Sequence, residues 1–429
     1  MNFIRTIHKE KYILFTLFIS FLLLYTSSPN YTSFDSRWSI PQGVSILKEG
    51  NLNLIEYLET IKLNNYYAII VKSNSEVYDL YPKGTVYLSL PFLLFMRSFF
   101  SFEDIVINFI IHENLISSII LSLSISFIYL ISRKYLGIFK SFLLVAIIGL
   151  GTSYLSILSR ALWQQTGAVF FISLTLLNLV YIKENSKKRY FLSIGIWLAM
   201  CYISRPLTFL WILIILIYMI KFYRDKFYLI ILSSSVFAIL FFVINYITFG
   251  ELFPYYYRYG STFVYNNILL GFWGQLVSPS RGIFIWSSFL IFIFFRKANY
   301  KDNVEKNNFL EKLFIANIVL HVLILSLNPN WWGGHSVGPR LMAETIPLFG
   351  FLLIKPIYSL NFRRRPIFSL LFAILIILSV IIHMVTAFNN GSITWNIYPV
   401  NVDEFPSRNW DFYDSQFLRE IPTWRSLLR

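Results

Sequence analysis

Long apolar runs separated by short polar clusters recur along nearly the whole chain. A helix needs about 20 apolar residues to cross a bilayer, fewer where flanking side chains reach back to the interface. On that measure the pattern predicts an all-α polytopic membrane protein with about eleven transmembrane helices. They fall at residues 12–25, 104–131, 137–158, 161–182, 190–204, 206–223, 227–249, 282–295, 313–327, 341–358 and 366–388. A further stretch, 84–100, is apolar enough to cross, and charge decides its placement. Basic clusters occur at Arg133 and Lys134 and within residues 183–189, 221–226, 296–312 and 363–365. If 84–100 does not cross, all of them share a side with the basic N-terminus (Arg5, Lys9, Lys11), as the positive-inside rule requires. If it crosses, they move to the opposite side. The stretch therefore reads as a helix lying in or dipping into the outer interface. The expected organisation is one transmembrane domain over 1–388, whose first outer loop covers 26–103, and an extracytoplasmic aromatic tail over 389–429.

Composition strengthens this reading and removes others. Of the 429 residues, 56% are hydrophobic and 14% charged, where soluble domains carry about 25% charged residues. A net charge of +15 would suggest nucleic acid in a soluble protein. Here it belongs to cytoplasmic loops, and no nucleic-acid partner is implied. The N-terminus has the charge and apolar run of a signal peptide, but no small-residue cleavage site follows and the run leads into further spans. The expected topology is an uncleaved first helix in the plasma (inner) membrane, with the N-terminus cytoplasmic. The one cysteine, Cys201, lies inside an apolar run without a metal motif and reads as a small buried hydrophobe.

Candidate chemistry sits on the outer loops, which are longer than the inner ones and hold Asp, Trp, Tyr, Gly, Pro and isolated Arg. Asp35, in Phe34-Asp35-Ser36-Arg37-Trp38, follows the first span at headgroup level. It can cap the amphipathic helix expected next, with Ile40, Val44 and Leu47 on one face. It can also act as general base toward an acceptor hydroxyl, and the two roles are compatible. Lys83, in Tyr81-Pro82-Lys83-Gly84-Thr85, can meet a lipid phosphate as a point charge or simply attract anionic headgroups. Four arginines stand at outer helix ends: Arg160 before Trp163-Gln164, Arg205 in Ser204-Arg205-Pro206, Arg281 in Ser278-Pro279-Ser280-Arg281-Gly282, and Arg340 after Trp331-Trp332-Gly333-Gly334-His335. Outer arginines run against the positive-inside bias. Each alone could be a snorkelling anchor, whereas a shared phosphate explains them together. Arg37, Trp38, Trp163, Gln164, Trp332 and His335 beside them are candidate substrate contacts. In the tail, Trp395-Asn396 and the stretch from Arg408 to Phe417 set aromatics beside Asp and Asn. That suits sugar faces, and suits docking against the outer loops slightly better. The chain has no P-loop, no dinucleotide fingerprint, no serine-hydrolase elbow and no metal-ligand cluster.

These features resemble the C-type membrane glycosyltransferases, especially the bacterial relatives of protein O-mannosyltransferases and of the lipid A aminoarabinose transferase. The resemblance covers most of the length. It rests on the first-loop acid Asp35, the turn Tyr81-Pro82-Lys83 before an interfacial helix, Arg205 in its proline turn, the Gly-rich loops ending at Gly282 and Arg340, and the aromatic tail. It implies a polyprenyl-phosphate-linked sugar donor, an inverted anomeric centre, Asp35 as catalytic base and Lys83 as phosphate ligand, with no nucleotide. The acceptor would be a hydroxyl of a glycan, lipid or protein. Arg160, Arg205, Arg281 and Arg340 would share the phosphate charge, and the chemistry requires neither cofactor nor metal. The chain departs from the family where Ser36 replaces the second acid of an Asp-Glu pair, where Pro-Lys-Gly replaces Lys-Pro-Pro, and in lacking a large soluble C-terminal domain. Two rivals remain. A transporter or flippase for lipid-linked glycans would want inverted repeats, broken helices and midplane ionisable groups, for which His112, Glu113, His321 and Glu344 are the candidates. A glycan polymerase would use a lipid-diphosphate donor and similar outer arginines.

Overall fold

The computed structural model describes residues 2–31, 33–253, 256, 267–295, 304–361, 363–389 and 391–419. Residues 296–303 of the fourth basic cluster, residues 420–429 of the tail and the side chains of Arg5 and Lys9 lie outside the described residues.

Each of the eleven apolar segments is helical, and the chain is a multi-pass membrane protein. Among the described residues, seven helices can cross a bilayer by length and composition: Glu10–Ser27, Phe109–Arg133, Gln164–Glu184, Arg224–Phe249, Glu305–Ser326, Arg340–Tyr358 and Pro366–Phe388. An eighth is formed if Ile138–Leu150 and Ser153–Arg160, bent by 44°, count as one. Lys188–Ser204, Pro206–Phe222 and Gly84–Met96 are shorter. Ile268–Val277 is a helix that the apolar pattern did not predict.

The helices are amphipathic in the sense opposite to a soluble bundle. On Pro366–Phe388 the outward stripe is Ile367, Leu370, Leu371, Ile374, Ile377, Leu378 and Ile381, all exposed. The inward face carries Ser369, Ser379, His383 and Thr386. Spacings of three and four put that stripe on one side, and a soluble chain does not expose so long an apolar face. Small hydroxyl side chains line the contacts between helices. Ser122 and Ser126 on Phe109–Arg133 donate to the carbonyls of Ser118 and Ser122 at 2.7 and 2.9 Å, so their polarity is satisfied within the helix. Their size then lets neighbouring backbones approach.

Polar contacts sort the helix termini into two ends. At one, Arg133 pairs with Glu10 (2.9 Å), Lys134 with Glu184 (2.9 Å) and Lys355 with Glu311 (2.7 Å), while Lys226 donates to the Ser186 carbonyl. At the other, Asp35 pairs with Arg340, Lys72 donates to the Thr248 carbonyl, and Ser278 donates to the Asn409 carbonyl. The Gly84–Met96 helix has both termini at this second end. Gly84 lies against Ser204, and past the other terminus the Phe100 ring meets His112, 5.3 Å away.

The first long loop is a small folded unit. Helix Ser39–Glu49 and an antiparallel hairpin, Ile69–Val71 with Val77–Asp79, enclose Trp38, Leu54, Ile61 and Val77. Residues 391–419 fold back on the loop 327–339 through a cluster of Trp331, Trp332, Trp395 and Val402.

Candidate active site

The Asp35 end gathers charges from four separate stretches. Asp35 does not cap the helix after it: the N-cap position is Trp38, without a side-chain cap. Its carboxylate instead turns across the bundle, where Oδ2 lies 2.6 Å from Nη1 of Arg340 and Oδ1 accepts from the Tyr67 hydroxyl at 2.8 Å. Local geometry makes both contacts. Trp38 donates its indole N–H to the Tyr67 carbonyl (3.0 Å), which pins that residue. The neighbours Tyr66 and Ala68 adopt φ of 53° and 57°. The left-handed region is costly for non-glycine residues and is held only by the surrounding structure. On the other side, Gly333, Gly334 and Gly338 take φ of 76°, 64° and 50° and coil the loop back on itself. The Gly333 carbonyl then accepts from Nη2 of Arg340 at 2.9 Å. The guanidinium lies 4.3 Å over the Trp163 ring, a cation–π contact.

Arg205 and Lys83 each bring a carboxylate of their own. Proline at 206 forces Arg205 out of the helical region and ends Lys188–Ser204. Its Nε then lies 2.5 Å from Glu344, which is 3% exposed and also 3.5 Å from His321. Lys83 donates to Oδ2 of Asp79 at 2.8 Å, four residues back at the end of the hairpin. Burial pushes the Asp79 carboxyl up and the Lys83 ammonium down, and their mutual attraction opposes both shifts. The two cations are brought together by Gly84: a Cβ there would lie 2.4 Å from the Ser204 backbone, so only glycine lets this turn rest on the end of the helix that precedes Arg205.

Three phenols stand near Asp35. Burial, and then Asp35 nearby, push the hydroxyls of Tyr67, Tyr81 and Tyr256 above the usual tyrosine range, so all three stay protonated at neutral pH. Tyr256 lies within electrostatic reach of Asp35, Arg205 and Arg340 together, and its ring is 5.2 Å from that of Tyr81.

The other predicted residues sit differently. Arg160 is fully buried and donates to the carbonyls of Tyr25 and Ser28, closing the end of the first helix. Arg281, also buried, donates to Gln416, to Asn396 (2.9 Å) and to the Gly334 carbonyl (3.2 Å), within electrostatic reach of Arg340. Trp38 is part of the first-loop core, and Arg37 lies 5.9 Å over Phe109. Gln164 opens the Gln164–Glu184 helix, half-buried. Trp332 donates to Asp403 at 2.7 Å, and His335 meets Asn401 at 2.8 Å and Asp403 at 3.4 Å.

Tyr67, Tyr81, Asp79 and Tyr256 were not among the predicted site residues, and Glu344 was considered only as a midplane charge. Asp79 had a legible signal, since it stands four residues before its partner Lys83, whereas Glu344 had none, because its partner Arg205 is remote in sequence. Tyr67 had none, because its contact depends on the fold of the loop.

No family model, curated protein or solved structure matches this chain.

Proposed function

We propose that this chain is an inverting membrane glycosyltransferase. It would move a sugar from a polyprenyl-phosphate donor to an acceptor hydroxyl of a glycan, lipid or protein. In this reading the architecture is the eleven-span C-type one, the N-terminus is cytoplasmic and the Asp35 end faces outward. The observation that carries it is the pairing of the first-loop carboxylate Asp35 with Arg340, 305 residues away, at an end that also holds Arg205 and Lys83. A base beside preorganised cations is what displacement of a sugar from a phosphate demands.

Asp35 removes the acceptor proton, and the acceptor oxygen bonds to the anomeric carbon. The bond from that carbon to the phosphate oxygen breaks on the opposite face, its electron pair staying on the phosphate. Arg340 and Arg205 meet that charge, each such donor contributing roughly 3 kcal/mol. Lys83, held by Asp79, adds field from the edge. The decisive assay supplies a polyprenyl-monophosphate sugar to purified protein in detergent. Consumption of the donor supports transfer, and an inert donor across a range of acceptors rejects it.

One observation favours the transporter reading: the 44° break near Gly151, beside which Ser156 and Ser287 hold the buried His383 from both ring nitrogens at 2.7 and 3.1 Å. Broken helices around a polar centre belong to alternating access. Movement of a lipid-linked sugar across proteoliposomes without bond cleavage would establish it. Orientation is tested separately, with cysteines placed at Lys62 and Arg364 and a membrane-impermeant maleimide on intact cells. Lys62→Cys should label and Arg364→Cys should not; the reverse pattern overturns the outward assignment.

A further inference from the structure

Among the described residues, the three cations gathered here each face a carboxylate: Arg340 has Asp35, Arg205 has Glu344 and Lys83 has Asp79. A phosphate that binds one of these cations therefore competes with the carboxylate already on it. The three pairs differ in how readily they can part. Glu344 and Asp79 are each 3% exposed, on a helical segment and at a hairpin end, and either would be stranded as a buried lone charge. Asp35 is 23% exposed, lies in a loop, and keeps its bond to Tyr67 when the arginine leaves. Arg340 has capacity to spare as well: its Nε is buried and has no acceptor among the described residues.

We infer that Asp35 is a latch as well as a base, held on Arg340 in the empty enzyme and released when the donor's phosphate takes the guanidinium. The inference rests on the transferase reading above and adds an order of events to it. The donor's phosphodiester exchanges with the carboxylate on Arg340, a group with the forked geometry that phosphate fits. The freed Oδ2 recovers the lone pairs that an acceptor hydroxyl requires, while Tyr67 keeps Oδ1 in place. Donor therefore binds first, and the base becomes available only with a leaving group present. That order protects the acceptor site from unproductive proton transfer. No bond is made or broken in the exchange itself; the transfer that follows moves the acceptor proton to Asp35 and leaves the electron pair on the phosphate.

The consequence runs against intuition: removing the base should improve donor binding. A competing internal ligand lowers apparent affinity by the fraction of molecules in which it is bound, so Asp35→Asn and Asp35→Ser should bind polyprenyl monophosphate in nanodiscs about tenfold more tightly than the unmodified chain. Asp411→Asn, which removes an exposed carboxylate in the tail, is the charge control and should leave affinity unchanged. Inorganic phosphate, titrated alone, separates the headgroup from free phosphate as the displacing anion. Equal affinity in the unmodified and both Asp35 variants overturns the latch while leaving the transferase reading to its own assay. So does a gain in Asp411→Asn as large as in Asp35→Asn. A gain that inorganic phosphate shows as strongly as the lipid overturns the lipid donor as the releasing group. Absence of any polyprenyl-phosphate binding in every variant rejects the transferase reading itself.

Discussion

Arg160 and Arg340 occupy equivalent places in the sequence, each an isolated arginine at a helix end on the same side of the bundle, and the fold treats them in opposite ways. Arg160 is saturated by backbone. Its guanidinium closes the carbonyl end of the first helix through Tyr25 and Ser28, with Ser159 on its flank. Those carbonyls are the groups a helix leaves unsatisfied at its end, and an arginine there also meets the negative pole of the helix dipole. Arg340 meets a side-chain carboxylate on a loop, a single backbone carbonyl and the face of an indole. The Trp163 ring beneath Arg340 is three residues from Arg160, so the two corners adjoin. The difference lies in the kind of partner: backbone carbonyls for Arg160, an ion-paired loop carboxylate for Arg340.

Substitutions at the two corners break or sharpen that contrast. The largest effect is expected from Asp35→Asn, which keeps shape and hydrogen bonding but removes the base. Turnover should fall by roughly 100-fold or more, measured as sugar transfer by reconstituted protein matched for folded amount. Near-normal turnover would take Asp35 out of the reaction. Next is Arg340→Lys, which keeps the charge and loses the fork, and should lower kcat/KM by about tenfold with the melting temperature little changed. Arg160→Met should show the inverse. Two buried carbonyls lose their donors, at about 1–3 kcal/mol each, so thermal unfolding in detergent should shift down while kcat/KM per folded molecule holds. Lost activity at full stability would instead return Arg160 to the phosphate site. The smallest effect belongs to Tyr67→Phe, a few-fold fall in kcat from one lost hydrogen bond of about 1 kcal/mol. Because burial raises the Tyr67 hydroxyl, it donates throughout the neutral and mildly alkaline range. The ratio of native to Tyr67→Phe rates should therefore stay flat between about pH 7 and 9. A ratio that drops toward one above pH 8 would show the phenol ionising and refute that placement.

The apolar runs were legible because burial in lipid needs only length and composition, and each predicted segment is helical. Their interruptions were not. The helix Ile268–Val277 spans ten residues and was lost between the polar Asn267 and Ser278. The break falls in Gly149-Leu150-Gly151-Thr152-Ser153, where Thr152 caps the next helical turn, and this signal was passed over because the apolar residues on either side read as one span. At the site, chain position and turn chemistry pointed alike to Asp35, Lys83, Arg160, Arg205, Arg281 and Arg340, since an isolated charge at a helix end stands out against an apolar background; which of the arginines pairs with Asp35 was not legible. Their counter-ions did not stand out. Asp79 was hidden by attention to cations, and the link from Trp38 to Tyr67 to Asp35 exists only once the first loop has folded. Docking of the tail, the preferred of two readings, is what the structure has: Trp395, Trp410 and Val402 pack with Trp331 and Trp332. The same polar and aromatic composition would have served a sugar equally well.

The side-chain amide of Gln416 has an implication for biogenesis. It receives a hydrogen bond from Arg281 and another from the Gly338 backbone, and donates to the carbonyls of Ser336 (3.0 Å) and Ser392 (2.7 Å). One residue thus ties together three stretches that leave the ribosome at different times, and it leaves after all of them. While the chain is still being made, the Pro366–Phe388 helix can already be threaded into the bilayer with Arg281 and the loop before Arg340 still without this partner. Insertion and maturation are then separate events, and the loop that presents Arg340 to Asp35 gains this fastening from a residue translated well after it.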